Sequence, residues 1–95
     1  MDTNYILNAD IKGLSIEKLF KTDTTENILI CLEKGHQFPK HTSPKDAFLL
    51  VLQGQIIFHI DNKTITLGKQ QLYSFPKYTE HYVTAVENAK FLIVR

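Results

Sequence analysis

An all-β domain, a sandwich or small barrel, is predicted by three observations. Short apolar runs alternate with polar residues at period two. Turn signals separate those runs at regular intervals, giving about eight short strands. Breaker residues sit between the runs rather than inside them.

The elements follow in chain order. Met1 to Asp10 lacks a basic stretch followed by an apolar run, so no signal peptide is expected. Ile11 to Leu19 carries a short helical pattern that Gly13 interrupts, and it is read as non-helical. Ile16–Phe20 and Asn27–Glu33 form a hairpin around the polar cluster Lys21 to Glu26. In its second strand Ile28, Ile30 and Leu32 alternate with Asn27, Leu29, Cys31 and Glu33. Gly35–Pro39 reads as a breaker-rich loop. Ala47–Leu52 is a continuous apolar run of strand length, ended by Gly54. Gln55–Ile60 alternates again, and Asp61-Asn62-Lys63 makes a tight turn into Thr64–Leu67. Leu72–Phe75 is stopped by Pro76. His81–Val86 and Phe91–Arg95 close the set across the Glu87–Lys90 turn.

The run Ala47-Phe48-Leu49-Leu50-Val51-Leu52 points apolar side chains to both sides of its sheet. Both sides therefore need cover. The N-terminal segment is one candidate and a second copy of the chain is the other. The segment is short, so a homodimer is expected.

Composition narrows the class of protein. The 95 residues are read as one domain, 1–95. A formal net charge of +1 argues against nucleic acid or an anionic membrane as partner. No apolar stretch approaches ~20 residues, so no membrane span is expected. The single cysteine, Cys31, falls in an alternating apolar run and reads as a small buried hydrophobe rather than a catalytic thiol. A chain without a disulfide framework suits a reducing, cytoplasmic setting.

Two stretches carry a family resemblance. Gly35 is followed by five residues and His41; Ser43 stands two further on, Ala47 follows after three more, and six residues separate it from Gly54. The ending Val51-Leu52-Gln53-Gly54 belongs to the same pattern. Downstream, a stretch of about 68–85 runs through Gln70, Pro76, Tyr78, His81 and Ala85. These resemble the first and second motifs of the cupin family over about 35–54 and 68–85. In that pattern Ser43 replaces a histidine, Ala47 a glutamate, Gln70 and Tyr78 glycines, and Ala85 an asparagine.

The resemblance implies a double-stranded β-helix, the jelly-roll barrel. It also implies a divalent metal such as Zn, Fe, Mn, Ni or Cu, held in the barrel mouth by three histidines and a glutamate. Residue by residue, only His41 and His81 carry over as metal ligands. Transition-metal sites need three or four strong donors, and Ala47 offers none. Asp46 and Glu80 each lie one position from a motif residue, so in a strand they point to the opposite face. His36, in the loop, could reach the mouth. His59 is out of phase with Ile56, Phe58 and Ile60 and reads as a surface or interface histidine.

Tyr73 and Phe75 share one strand face and are candidate walls of an apolar pocket. Lys40, Lys45 and Lys77 flank the mouth and would suit an anionic ligand. The expected function is binding of a small molecule in the pocket, by His41, Ser43, Tyr73, Phe75 and His81, without a complete metal site. A metal-dependent enzyme of dioxygenase or isomerase type, using His41 and His81, is the first alternative. A dimeric structural or sensor module is the second. Fold alone does not choose among them.

Overall fold

In the computed structural model, which describes residues 2–95, nine antiparallel strands form two sheets packed face to face. The five-stranded sheet has the order β1-β2-β9-β4-β7 and the four-stranded sheet the order β3-β8-β5-β6. The strands are β1 Leu14–Lys21, β2 Glu26–Leu32, β3 Gln37–His41, β4 Ala47–Gln53, β5 Gln55–Ile60, β6 Lys63–Gly68, β7 Leu72–Phe75, β8 His81–Ala85 and β9 Ala89–Val94. One four-residue helix, α1 Tyr5–Asn8, precedes them.

Period-two alternation decides which side chains meet between the sheets. Ile28, Ile30 and Leu32 of β2, Leu49 and Val51 of β4, and Phe91 and Ile93 of β9 point inward from one sheet. Ile56, Phe58 and Ile60 of β5 and Val83 of β8 meet them from the other. Each such side chain, fully buried, contributes about 1.5–3 kcal/mol of transfer free energy. The motif-closing Gly54 is fixed by sterics: its φ is +78°, and a Cβ there would lie 2.1 Å from the Asn88 carbonyl oxygen.

The structure bears on three expectations. Gly35–Pro39 is not all loop, because β3 begins at Gln37. Pro39 is tolerated there because β3 is an edge strand, and its ladder to β8 shifts register between Phe38 and His41. The outward side of β4 is only partly covered: Leu50 and Leu52 are half-buried and Phe48 is 37% exposed. The N-terminal segment does fold over this sheet, but over β2 and β9. Tyr5, Asn8 and Ala9 face Leu29 and Cys31 across a small cavity, and the Lys90 ammonium donates to the carbonyls of Ile6 and Leu7 at 2.7 and 2.8 Å. Cys31 is buried, as its run suggested, though on this outer face rather than between the sheets. Third, His36 sits at the far end of β8 from His81. Its carbonyl accepts from the Ala85 N–H, and its ring lies 3.9 Å from the Glu33 carboxylate.

No helix among the described residues is long and apolar enough to cross a membrane.

Candidate functional site

The antiparallel register of β3 and β8 places His41 directly opposite His81 at one end of the barrel. Residues 40 positions apart thus become neighbours, as the motif spacing implied. His81 is 2% exposed, while His41 is half-buried on the edge strand.

Aromatic rings hold the pair. Phe38 stacks on His41 at 4.2 Å between centroids, and the two imidazoles meet edge to face at 4.3 Å. Phe75 and Phe58 pack on His81 at 4.6 and 5.3 Å. Tyr73 lies behind, 5.4 Å from Phe58. Phe75 therefore touches the pair and Tyr73 reaches it through Phe58. Sequence reasoning grouped both on one strand face and placed Phe38 among the aromatics around the motifs, but missed Phe58 as a site residue, although the inward phase of β5 already pointed it at the core.

The hydrogen bonds fix the tautomers. His41 Nδ1–H donates to the Pro39 carbonyl at 2.7 Å, and His81 Nδ1–H donates to the Thr79 carbonyl at 2.8 Å. A carbonyl only accepts, so each Nδ1 carries the proton. The two Nε2 atoms then face each other at 3.1 Å, each with a lone pair when its ring is neutral. Burial pushes the His81 pKa below the usual histidine value. The positive charges of His41 and Arg95 act the same way, against the Thr79 bond, which favours the proton. With both rings neutral the pair is a double acceptor lacking a donor.

The other candidates are committed elsewhere. Buried Ser43 donates its hydroxyl to the Lys45 carbonyl at 2.6 Å and accepts from Arg95 Nη1 at 3.3 Å. Arg95 is held in turn by Glu26 at 2.8 Å, which keeps the Glu26 carboxyl below its usual pKa. Lys45 bonds the Thr24 carbonyl, and Lys77 and Lys40 lie over the rings of Tyr78 and Tyr82. Asp46 accepts from the Lys77 backbone N–H at 2.9 Å and is exposed.

A cupin metal does not fit these residues. Two of the four ligand positions lack a usable donor, and no group of three or more His, Cys, Asp and Glu side chains gathers among the described residues. A guanidinium also stands beside Ser43, where the pattern places a ligand.

The glycine positions of the second motif keep the backbone conformation that glycine favours. Gln70 and Tyr78, which stand where that pattern has glycine, both adopt left-handed backbone, with φ of 70° and 64°. The backbone of the motif persists although its residue identities have changed.

Two antiparallel sheets closed into a double-stranded β-helix, with paired histidines at one end, define a jelly-roll barrel of small size. Residues 28–95 match the family model described as a cupin domain, and the chain belongs to the cupin family. It is 30% identical over 89 residues to the uncharacterised protein MJ0764 of Methanocaldococcus jannaschii, covering 94% of this chain and 69% of that one. The MJ0764 structure, an RmlC-like cupin with a double-stranded β-helix fold, superposes with a TM-score of 0.80 over 90% of this chain and 82% of its own. A conserved Streptococcus pyogenes protein of unknown function, SPY1581, is 27% identical with a TM-score of 0.78, over 86% of this chain and 72% of that one. An RmlC-like cupin from Desulfovibrio desulfuricans shares the fold at a TM-score of 0.86 and 21% identity, over 99% and 94% of the two chains.

Proposed function

We propose that this cupin is a small-molecule binding protein whose ligand docks on the His41–His81 pair without a metal. One observation carries the reading. Both Nδ1–H groups are spent on backbone carbonyls, so two acceptor nitrogens 3.1 Å apart lack a hydrogen between them. A ligand hydroxyl or N–H that approaches from the half-buried side of His41 and donates to its Nε2 relieves the repulsion of the facing lone pairs. Half-buried His41, on the edge strand, is the side from which such a group approaches. Half-buried Phe38, stacked on His41, gives the ligand body an apolar surface.

Thermal-shift screening of small hydroxylated and N–H-bearing compounds, beside divalent metal ions, tests this. A binder raises stability by about 2.7 kcal/mol at roughly 100 times its Kd. The rise should vanish in a His41→Ala/His81→Ala variant. Near-stoichiometric transition metal in protein purified without chelator, lost in that variant, would replace this reading with a metal-dependent one.

A further inference from the structure

A second cavity, of about 470 Å³, opens at the β5–β6 turn end of the four-stranded sheet. Its floor is ordered. His59 and Tyr82, paired across β5 and β8, stack at 4.0 Å with their planes 5° apart. His59 Nε2 lies 3.0 Å from the Thr84 hydroxyl, which fixes the imidazole, and the Lys40 ammonium sits 5.9 Å from the Tyr82 ring centre. The β5–β6 turn supplies one rim: Asp61 and Asn62 are left-handed, at φ 51° and 58°, so the hairpin closes in two residues and leaves Asp61 and Lys63 on the cavity. Lys40 and Glu80 supply the other.

Four charged side chains thus line one cavity, two of each sign. None of Lys40, Asp61, Lys63 and Glu80 takes part in an ion pair among the described residues. An anion entering the cavity meets two lysines but also two carboxylates, and a cation meets the converse. A ligand carrying both charges, separated on one small frame, satisfies both signs at once.

We infer that this cavity binds a zwitterion of the α-amino-acid type. Its ammonium is taken by Asp61 or Glu80 and its carboxylate by Lys40 or Lys63, with the Tyr82–His59 stack as the wall for its side chain. The inference does not depend on the ligand proposed for the histidine pair, although His81 also borders this cavity.

Backbone amide NMR titration tests it, with glycine, leucine and phenylalanine as probes, each beside its decarboxylated amine and its deaminated acid. The amino acids are expected to give saturable shifts at Asn62, Lys63, Thr64 and Tyr82, with a Kd of about 1 mM. The amine and the acid should each bind about fivefold more weakly, the scale of one partly exposed ion pair. Lys63→Gln and Glu80→Gln, both at exposed positions, should weaken the amino acids by a similar factor while the rest of the spectrum stays in place. The inference is overturned if no probe saturates, if the amine or the acid alone binds as tightly as the amino acid, if neither substitution weakens binding, or if the shifts fall on Phe38, Phe58 and Phe75 instead.

Discussion

His41 and His81 present their Nε2 atoms to each other at 3.1 Å while both Nδ1–H groups donate to the carbonyls of the residues two positions before them, Pro39 and Thr79. With neutral rings this is a contact between two acceptors, so the pair is held by its surroundings rather than by mutual attraction. Packing by Phe38, Phe58 and Phe75 is the force that holds it. His81→Ala should therefore cost about 2–4 kcal/mol in urea unfolding, through the cavity it opens among aromatic rings. His81→Phe keeps the ring, loses the Thr79 bond and removes one of the facing lone pairs, and it should stay within about 1 kcal/mol of the wild type. Equal losses for the two variants would mean that hydrogen bonding, not packing, maintains the site.

Acid should weaken the fold in two separate windows. Burial holds the His81 pKa below that of a free imidazole, so the unfolded chain binds a proton more readily than the folded one. The stability this contributes is complete above about pH 6.5 and is lost as pH falls through the lower, folded value. The slope from this one proton cannot exceed about 1.4 kcal/mol per pH unit. Glu26, lowered by its bond to Arg95, acts in the same direction but only below about pH 4.5, the ordinary value of its carboxyl. Denaturant midpoints measured from pH 8 to pH 3 should show both falls, and His81→Phe should erase the first alone. A wild-type profile that is flat between pH 7 and the Glu26 window would rule out a depressed His81.

Backbone geometry at the motif glycines makes opposite predictions at different positions. Gly54→Ala forces a Cβ toward the Asn88 carbonyl oxygen, 2.1 Å away, in a left-handed conformation. Strain and overlap together should cost about 3 kcal/mol, lowering Tm by more than about 10 °C for a domain of this size. Tyr78→Gly removes left-handed strain of about 1–2 kcal/mol at an exposed position, offset by the greater freedom of glycine in the unfolded chain. It should be neutral or stabilise by up to about 1 kcal/mol. A clear loss in Tyr78→Gly would mean that the tyrosine ring makes a contribution its exposure does not suggest.

Most of the barrel was legible because its strands keep a strict two-residue period against one core. Ile56, Phe58 and Ile60 announce β5, and Ile28, Ile30 and Leu32 announce β2, without reference to any other part of the chain. β3 was not legible, because Gly35 and Pro39 are turn residues by local rule and only an edge position makes Pro39 acceptable in a strand. The meeting of His41 and His81 followed from motif spacing. Their locked tautomers did not, since these depend on main-chain carbonyls whose direction no residue identity encodes. Nor did Lys90, which reads as a turn lysine and lies buried under α1 with its ammonium on two carbonyls. The His59–Tyr82 stack was hidden for a related reason: it needs the β5–β8 register, which joins residues far apart in the chain.

The outward face of the five-stranded sheet leads to the last prediction. Register sets Leu92, Leu50 and Leu72 in one row across β9, β4 and β7, and Val94, Phe48 and Ser74 in the next. Neither row contains a charge. Leu72 is 57% exposed and Phe48 37%, whereas the N-terminal segment covers the neighbouring Leu29 and Cys31 and stops short of them. Scattered surface leucines are ordinary, but five apolar side chains in two adjoining rows form a contiguous patch. A two-fold axis through such a patch lets each row pack on the partner copy's rows without opposing like charges, so two copies of the chain are expected to pair there. Sedimentation equilibrium at micromolar concentration should give the mass of a dimer. Leu50→Lys, which places an ammonium at the centre of the patch, should give a folded monomer, because its side chain is already half-solvated in the single chain. A monomeric wild type, or a Leu50→Lys protein that remains dimeric, would move the interface elsewhere or remove it, and Phe48 and Leu72 would then stand as solvent-exposed residues of a single barrel.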